Sequence, residues 1–162
     1  MADRVSASII IGGALDAPAY AQLAELIAAE GLAIEWDGDP FESEHRVDGE
    51  PLRLFAHEVA GGHFEEIEDW CVSHRIPFVR WCGGYSGQWG PERVVATGDG
   101  TAVSYAVSED DEVVISRSTI ETLGSLDAVL AHFDAAEFIV PPLVVTNAAD
   151  VLSSFDGAHH VQ

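Results

Sequence analysis

The side chains with chemical potential fall into four groups. His63, Cys71, His74 and Cys82 offer the nitrogen and sulfur donors that zinc prefers, and Cys71-x-x-His74 sets two of them on nearly one helical face. No CxxC pair accompanies them, and Cys71 falls on an apolar stripe where a free thiol behaves as a small hydrophobe. A packed-core role without a metal is the expectation. The second group is Asp37-Gly38-Asp39-Pro40-Phe41-Glu42-Ser43-Glu44. Hard cations take several oxygens from one loop, but here Gly38 comes too early for an EF-hand and Pro40-Phe41 interrupt the oxygen ligands. A solvated acidic loop is expected, with no cofactor.

The third group is Gly83-Gly84-Tyr85-Ser86-Gly87-Gln88-Trp89-Gly90-Pro91. Its glycines permit close backbone approach, and Tyr85 and Trp89 supply stackable surface. No Lys follows the glycines as in a P-loop, and Gln88 stands where the serine-hydrolase elbow G-x-S-x-G needs its last glycine. The segment reads either as a linker or as a binding loop in which Tyr85, Gln88 and Trp89 act with Arg80 and His57. The fourth group is a sheet face. Arg53, Phe55 and His57 alternate along one expected strand, and Phe78, Arg80 and Cys82 along another. The expectation is that later elements cover this face and that each Arg pairs with a carboxylate. Ser, His and Asp occur throughout, yet no spacing assembles a base, an orienter and an oxyanion site, so no catalytic residue is assigned.

The elements that must position these groups follow from periodicity. Val5 to Ile11 reads as a strand, stopped by Gly12-Gly13. Asp16 is an N-cap, Pro18 suits a first helical turn, Tyr20, Leu23, Leu26 and Ile27 form the apolar stripe, and Gly31 ends the helix. Leu32, Ile34 and Trp36 alternate as a second strand, and Leu52 to His57 as a third. Phe64, Ile67, Cys71 and His74 mark one face of a second helix, its start crowded with Glu65, Glu66, Glu68 and Asp69. Ile76 to Cys82 is a fourth strand. The order β-α-β-β-α-β within residues 5–82 predicts an α+β fold with a ferredoxin-like core.

Residues 93–145 predict an added C-terminal β-hairpin or meander and a helix. The hairpin is Arg93–Thr97 and Thr101–Val107 about Gly98-Asp99-Gly100, a third short strand is Glu112–Ser116, and Ser118-Thr119-Ile120-Glu121 fits a capping box. Gly124-Ser125 marks a break within the helical pattern, and Pro141-Pro142 places the flanking apolar runs on an edge or a packed arm. Residues 1–149 read as one domain and 150–162 as a flexible tail.

Charge bounds the function. The 162 residues carry 28 Asp+Glu against 7 Lys+Arg, a formal net charge of -21, and all seven cations are Arg. Such a chain repels bare nucleic acid. A hydrophobic fraction of 48% is too high for a disordered acidic tail, and no apolar run reaches the length of a membrane span. Met-Ala-Asp-Arg lacks a secretory start, so a cytoplasmic location is expected. Two readings follow. In the first, the chain is a non-catalytic binding protein whose Asp37, Asp39, Glu42, Glu44, Asp48 and Glu50 dock on a basic protein surface. One form of it is a nucleic-acid mimic, an inhibitor of the antirestriction or anti-CRISPR type. In the second, the Gly83–Pro91 loop serves a small-molecule or enzymatic site. Acidity as mere solubility or salt adaptation is the rival to both.

Overall fold

The computed structural model describes residues 3–146. It is a mixed α+β structure built on a five-stranded antiparallel sheet and four helices. The strands are β1 (Arg4–Ile11), β3 (Leu52–Ala60), β4 (Phe78–Cys82), β5 (Glu92–Ala96) and β6 (Val103–Ala106), in the spatial order β3-β1-β4-β5-β6. A separate parallel pair joins β2 (Gly13–Asp16) to β7 (Leu143–Thr146). The helices are α1 (Ala17–Glu30), α2 (Glu65–Ser73), α3 (Arg117–Leu123) and α4 (Leu126–Ala136).

β1 is central because its odd positions are apolar. Ala7, Ile9 and Ile11 are fully buried against Leu23 and Ile27 of α1 and Ile67 and Cys71 of α2, with Leu54 and Phe78 beside them on the flanking strands. Asp16 caps α1 by accepting the Ala19 N–H at 2.8 Å, and Gly31 closes it at φ 73°. The opposite sheet face carries a smaller core. Val79 and Val95 meet Val140 there, with Ile10, Tyr105 and Phe138 packed around them.

That second core depends on how the C-terminal arm crosses the sheet's end. A Cβ on Gly12 would lie 1.8 Å from the Pro141 carbonyl oxygen, so only glycine admits the crossing. Gly13 then donates its N–H to Pro142 O at 3.0 Å and leads into the β2–β7 pair. The apolar runs around Pro141-Pro142 thus form a packed arm. Beyond Gly12-Gly13, where the first strand is expected to stop, β2 has no local signal, because its partner lies about 130 residues away in the chain.

Several expected elements differ. Residues 32–36 do not form a strand. Two isolated bridges remain at Ala33: one to Pro40, and one to Phe55, with which it exchanges both backbone hydrogen bonds at 2.8 and 2.9 Å. The chain then turns back: Gly38 N–H donates to Glu35 O, and Asp37 takes φ 57°. The polar turn overrides the alternation of Leu32, Ile34 and Trp36. The expected strand at 112–116 is likewise a single bridge, Val107 to Val113. The C-terminal helical pattern breaks where expected, at Gly124-Ser125, and gives two helices, α3 and α4, with Gly124 at φ 83° and Ser125 capping the second. Ser116, not Ser118, caps α3. The hairpin β5–β6 is no appendage, since β5 pairs with β4 and continues the main sheet. The tail at 150–162 lies outside the described residues.

One buried side chain ties the acidic loop to this frame. Phe41, 6% exposed, enters the main core, and its N–H donates to Leu32 O at 2.9 Å. Phe41→Ala removes that anchor and should cost about 3–5 kcal/mol. Urea unfolding followed by far-UV circular dichroism checks the value.

Candidate functional site

The acidic segment is a structured loop. Besides Phe41, it is held by the Tyr20 hydroxyl, which donates to Ser43 O, and by Glu42 N–H, which donates to His45 Nδ1 at 2.9 Å across a short 3-10 turn, Ser43–His45. Arg46 lies 5.7 Å from the Tyr20 ring centroid and reaches Asp48 Oδ1 at 2.7 Å. Asp37, Asp39, Glu42, Glu44, Asp48 and Glu50 are all exposed. Asp48 pairs with Arg46 and Asp37 with His57; the other four form no ion pair among the described residues.

Where the loop leaves the sheet, Trp36 folds back over the β3–β4 side. Its ring centroid is 5.0 Å from Phe55, 5.0 Å from His57 and 6.4 Å from Trp81. Beside it opens a cleft of about 660 Å³ along the outer edge of β3, between the end of α1 and the start of α2. Trp36, 41% exposed, forms part of its wall. Five carboxylates line the cleft (Glu30, Glu35, Asp37, Glu58, Glu65), against one Arg, Arg4. The edge is bulged here: the β1–β3 register shifts between Val5 and Ala7, Glu58 takes φ 54°, and Arg4 Nη1 holds the Glu58 carbonyl at 2.9 Å.

Two residues of the cleft wall, His57 and Asp37, form with Ser6 a relay invisible in the sequence. His57 Nδ1 lies 3.0 Å from Ser6 Oγ, and its Nε2 lies 3.1 Å from Asp37 Oδ1. The residue types are those of a serine-hydrolase triad, but the two ring nitrogens serve the opposite partners from the usual arrangement. His57 and Asp37 side chains are 49% and 85% exposed, so water screens the pair. The geometry suits a latch that pins the Trp36–Asp37 turn to the sheet. Sequence spacing could not find it, since the three residues come from β1, β3 and the loop.

The Gly83–Pro91 segment closes on itself. Tyr85 and Trp89 stack at 5.4 Å, Tyr85 N–H donates to Trp89 O at 2.9 Å, and Trp89 Nε1–H donates to Gly83 O at 3.2 Å. Gly87 takes φ 80° at the tip, Gln88 is exposed, and Gly84 N–H donates to Glu109 Oε1 at 3.0 Å. It is the turn joining β4 to β5. The residues expected to act with it are dispersed. His57 lies on the Trp36 face of the sheet, whereas Arg80 shares the helix-covered face with Phe78 and Cys82. The expected common face of Arg53, Phe55 and His57 with Phe78, Arg80 and Cys82 therefore does not exist. The register explains this: Ile9 opposes both Leu54 and Arg80, while Ser8 opposes Phe55 and Trp81.

Arg80 is 5% exposed. Its Nε lies 3.2 Å from both Glu68 carboxylate oxygens, and its Nη1 is 3.0 Å from Glu92 Oε1, although without hydrogen-bond geometry. Glu68 Oε2 also accepts the Phe64 N–H at 2.6 Å, at the start of α2. Burial pushes the Glu68 carboxyl above its ordinary value, and the Arg80 charge only partly opposes it. The cysteines are likewise interior. Cys71 is fully buried with its thiol pushed up to about 12, chiefly by burial, and Cys82 is 2% exposed. His74 stacks on Trp70 at 4.1 Å, and His63 Nδ1 lies 3.2 Å from Gly61 O. Among the described residues, no three His, Cys, Asp or Glu side chains are grouped to hold a metal ion. No helix of the described residues is long and apolar enough to cross a membrane.

No protein-family model, curated protein or solved structure matches this chain.

The buried triad makes an asymmetric prediction. Arg80→Met leaves Glu68 buried without a cation and should cost about 3–5 kcal/mol. Glu68→Gln leaves Arg80 with Glu92 and should cost far less. The sign with pH follows from linkage: a carboxyl whose folded pKa is raised stabilises the fold below its unfolded pKa, and that contribution is lost as pH rises through the folded value. Glu68→Gln should therefore gain on the parent as pH climbs from about 4 to neutrality. Chemical denaturation of the parent and both variants across that range checks the ranking and the slope.

Proposed function

We propose that this chain is a non-catalytic acidic binding protein that docks on a basic protein surface. The observation that carries the reading is that most Arg are engaged by partners within the chain, while carboxylates of the anchored acidic loop stay exposed and, among the described residues, unpaired. Four of the seven Arg hold carboxylates (Arg46, Arg80, Arg93, Arg117), and two more hold backbone carbonyls (Arg4 on Glu58, Arg75 on Asp99). Contacts within the chain thus engage six of the seven Arg, two of them, Arg80 and Arg93, in the interior. Asp39, Glu42, Glu44 and Glu50 meanwhile sit exposed on an anchored loop. An ordered array of like charges steers a basic partner and loses little entropy when it docks. The nucleic-acid-mimic inhibitor is one form of this reading, supported by charge alone. The strand order β3-β1-β4, with the Ala33 bridge outside β3, supports the finer reading of the sheet as a ferredoxin-like plan whose second strand has shrunk to one residue pair.

The small-molecule reading built on Tyr85, Gln88 and Trp89 finds less support, because the aromatic rings there stack on each other and Arg80 and His57 lie on opposite faces. Replacing Asp39 by Asn and Glu42, Glu44 and Glu50 by Gln removes four charges at nearly constant shape. Stability should change by less than about 1 kcal/mol, since these groups are exposed. Proteins captured from a lysate on the parent at low salt should elute as salt rises, and the quadruple variant should lose them. Identical capture by parent and variant would reduce the loop to a solvated surface.

A further inference from the structure

The cleft beside Trp36 has features that the acidic loop lacks. It is concave, it has an aromatic wall, and it runs along a strand edge that is largely unpaired. Among the described residues, β3 meets only Ala33 on its outer side, at Phe55. Both backbone groups of Phe55 face outward to Ala33, and beyond that point no described strand pairs with the outer side of β3. The cleft begins at that point. It runs past Ala56–Gly61 toward His63 and Glu65.

We propose that this cleft seats the anchor of the basic partner: an arginine side chain carried on an extended segment that lies along the free edge of β3. The inference rests on the docking reading above and adds its location and its chemistry. A guanidinium is planar, stacks on indole and accepts carboxylates on its edge. Trp36 offers the indole, propped from behind by Phe55, His57 and Trp81. Glu35 and Asp37 flank it in sequence, and Glu58 approaches from the bulge. The bulge is what brings Glu58 to the cleft, since Arg4 occupies only its backbone carbonyl. Among the described residues Arg4 is the one Arg lining the cleft, and five carboxylates outnumber it.

Charge also ranks the other occupants. A second copy of this chain would bring a net charge of -21 to an acidic cleft. Residues 147–162 contain Asp150 and Asp156 and no Arg or Lys, so the chain's own C-terminal sequence has no complementary charge to offer. An extended basic segment has both the backbone to pair with a strand edge and the cation to match the wall.

The test uses the full chain, labelled with nitrogen-15, and a capped heptapeptide of alternating Thr and Val with one central Arg. Its partner probe carries citrulline, which keeps the shape and removes the charge. The Arg peptide should shift the Trp36 indole N–H and the amides of residues 56–61. The citrulline peptide should bind at least about tenfold more weakly, as should the Glu35→Gln/Glu58→Gln variant. Trp36→Leu should weaken the Arg peptide by about five- to thirtyfold. A variant with Asp110→Asn and Glu112→Gln, exposed beyond β6 and outside both the cleft and the acidic loop, should bind within about twofold of the parent. Each variant's amide spectrum reports whether it has folded, and the Gln pair keeps the question open to refutation should Trp36→Leu unfold. Shifts confined to residues 39–50, equal affinity for the citrulline peptide, or no binding would overturn the inference. If the quadruple variant of the acidic loop still loses its salt-eluted partners, the docking reading survives that outcome; if capture is unchanged as well, both fall.

Discussion

Charge repulsion is the constraint that organises this molecule. With 28 carboxylates and 7 arginines, the fold has few cations with which to neutralise anything. It places two of them, Arg80 and Arg93, inside. Arg80 is the clearest case, enclosed between Glu68 of α2 and Glu92 of β5, and it links a helix to the sheet at the point where both are buried. Arg93 does similar work near the C-terminal arm, reaching Asp111 at 2.9 Å and the Ala136 carbonyl at 2.8 Å. Each arginine engaged in this way is unavailable to the surface.

Against that repulsion stands the apolar frame. β1 carries buried side chains toward both helices, and the smaller core on the other face is completed by Phe138 and Val140 from the arm. Gly12 lets the arm cross at a distance that no side chain would tolerate. The acidic loop is tied to the main core by Phe41 and to α1 through Tyr20. A loop of like charges would otherwise spread into water. Anchoring it makes its carboxylates a fixed pattern, and the Trp36 turn at its base leaves the β3 edge open beside an aromatic wall.

The relay Ser6–His57–Asp37 illustrates why residue types alone do not name a function. Its distances are those of good hydrogen bonds, yet its nitrogens face the reverse partners and its members are wetted. In that setting the three side chains hold a turn in place. The Gly83–Pro91 segment makes the same point from the other direction: glycines and aromatics that could cradle a ligand are satisfied by one another.

Composition and local periodicity by themselves determined a good deal. Net charge, the caps of α1, the Gly124 break, the core placement of Cys71 and the hairpin at Gly98–Gly100 follow from short-range rules, because each depends on neighbours within a turn or two of chain. The tertiary structure alone decided the rest. Alternation at Leu32–Trp36 looks like a strand, and only the competition between one bridge to Phe55 and the turn at Asp37 shows that it is not. Which face Arg80 shares, and with whom, is a matter of register across β1, where a shift of one residue exchanges the two faces. Trp36, Glu35, Glu58 and Arg4 were not singled out as site residues, although a Trp beside the turn signal Asp37-Gly38-Asp39 was a hint of an exposed ring. Their cleft is assembled from β1, the loop, the β3 bulge and the ends of two helices. Long-range closure makes such a place, and no window of sequence contains it.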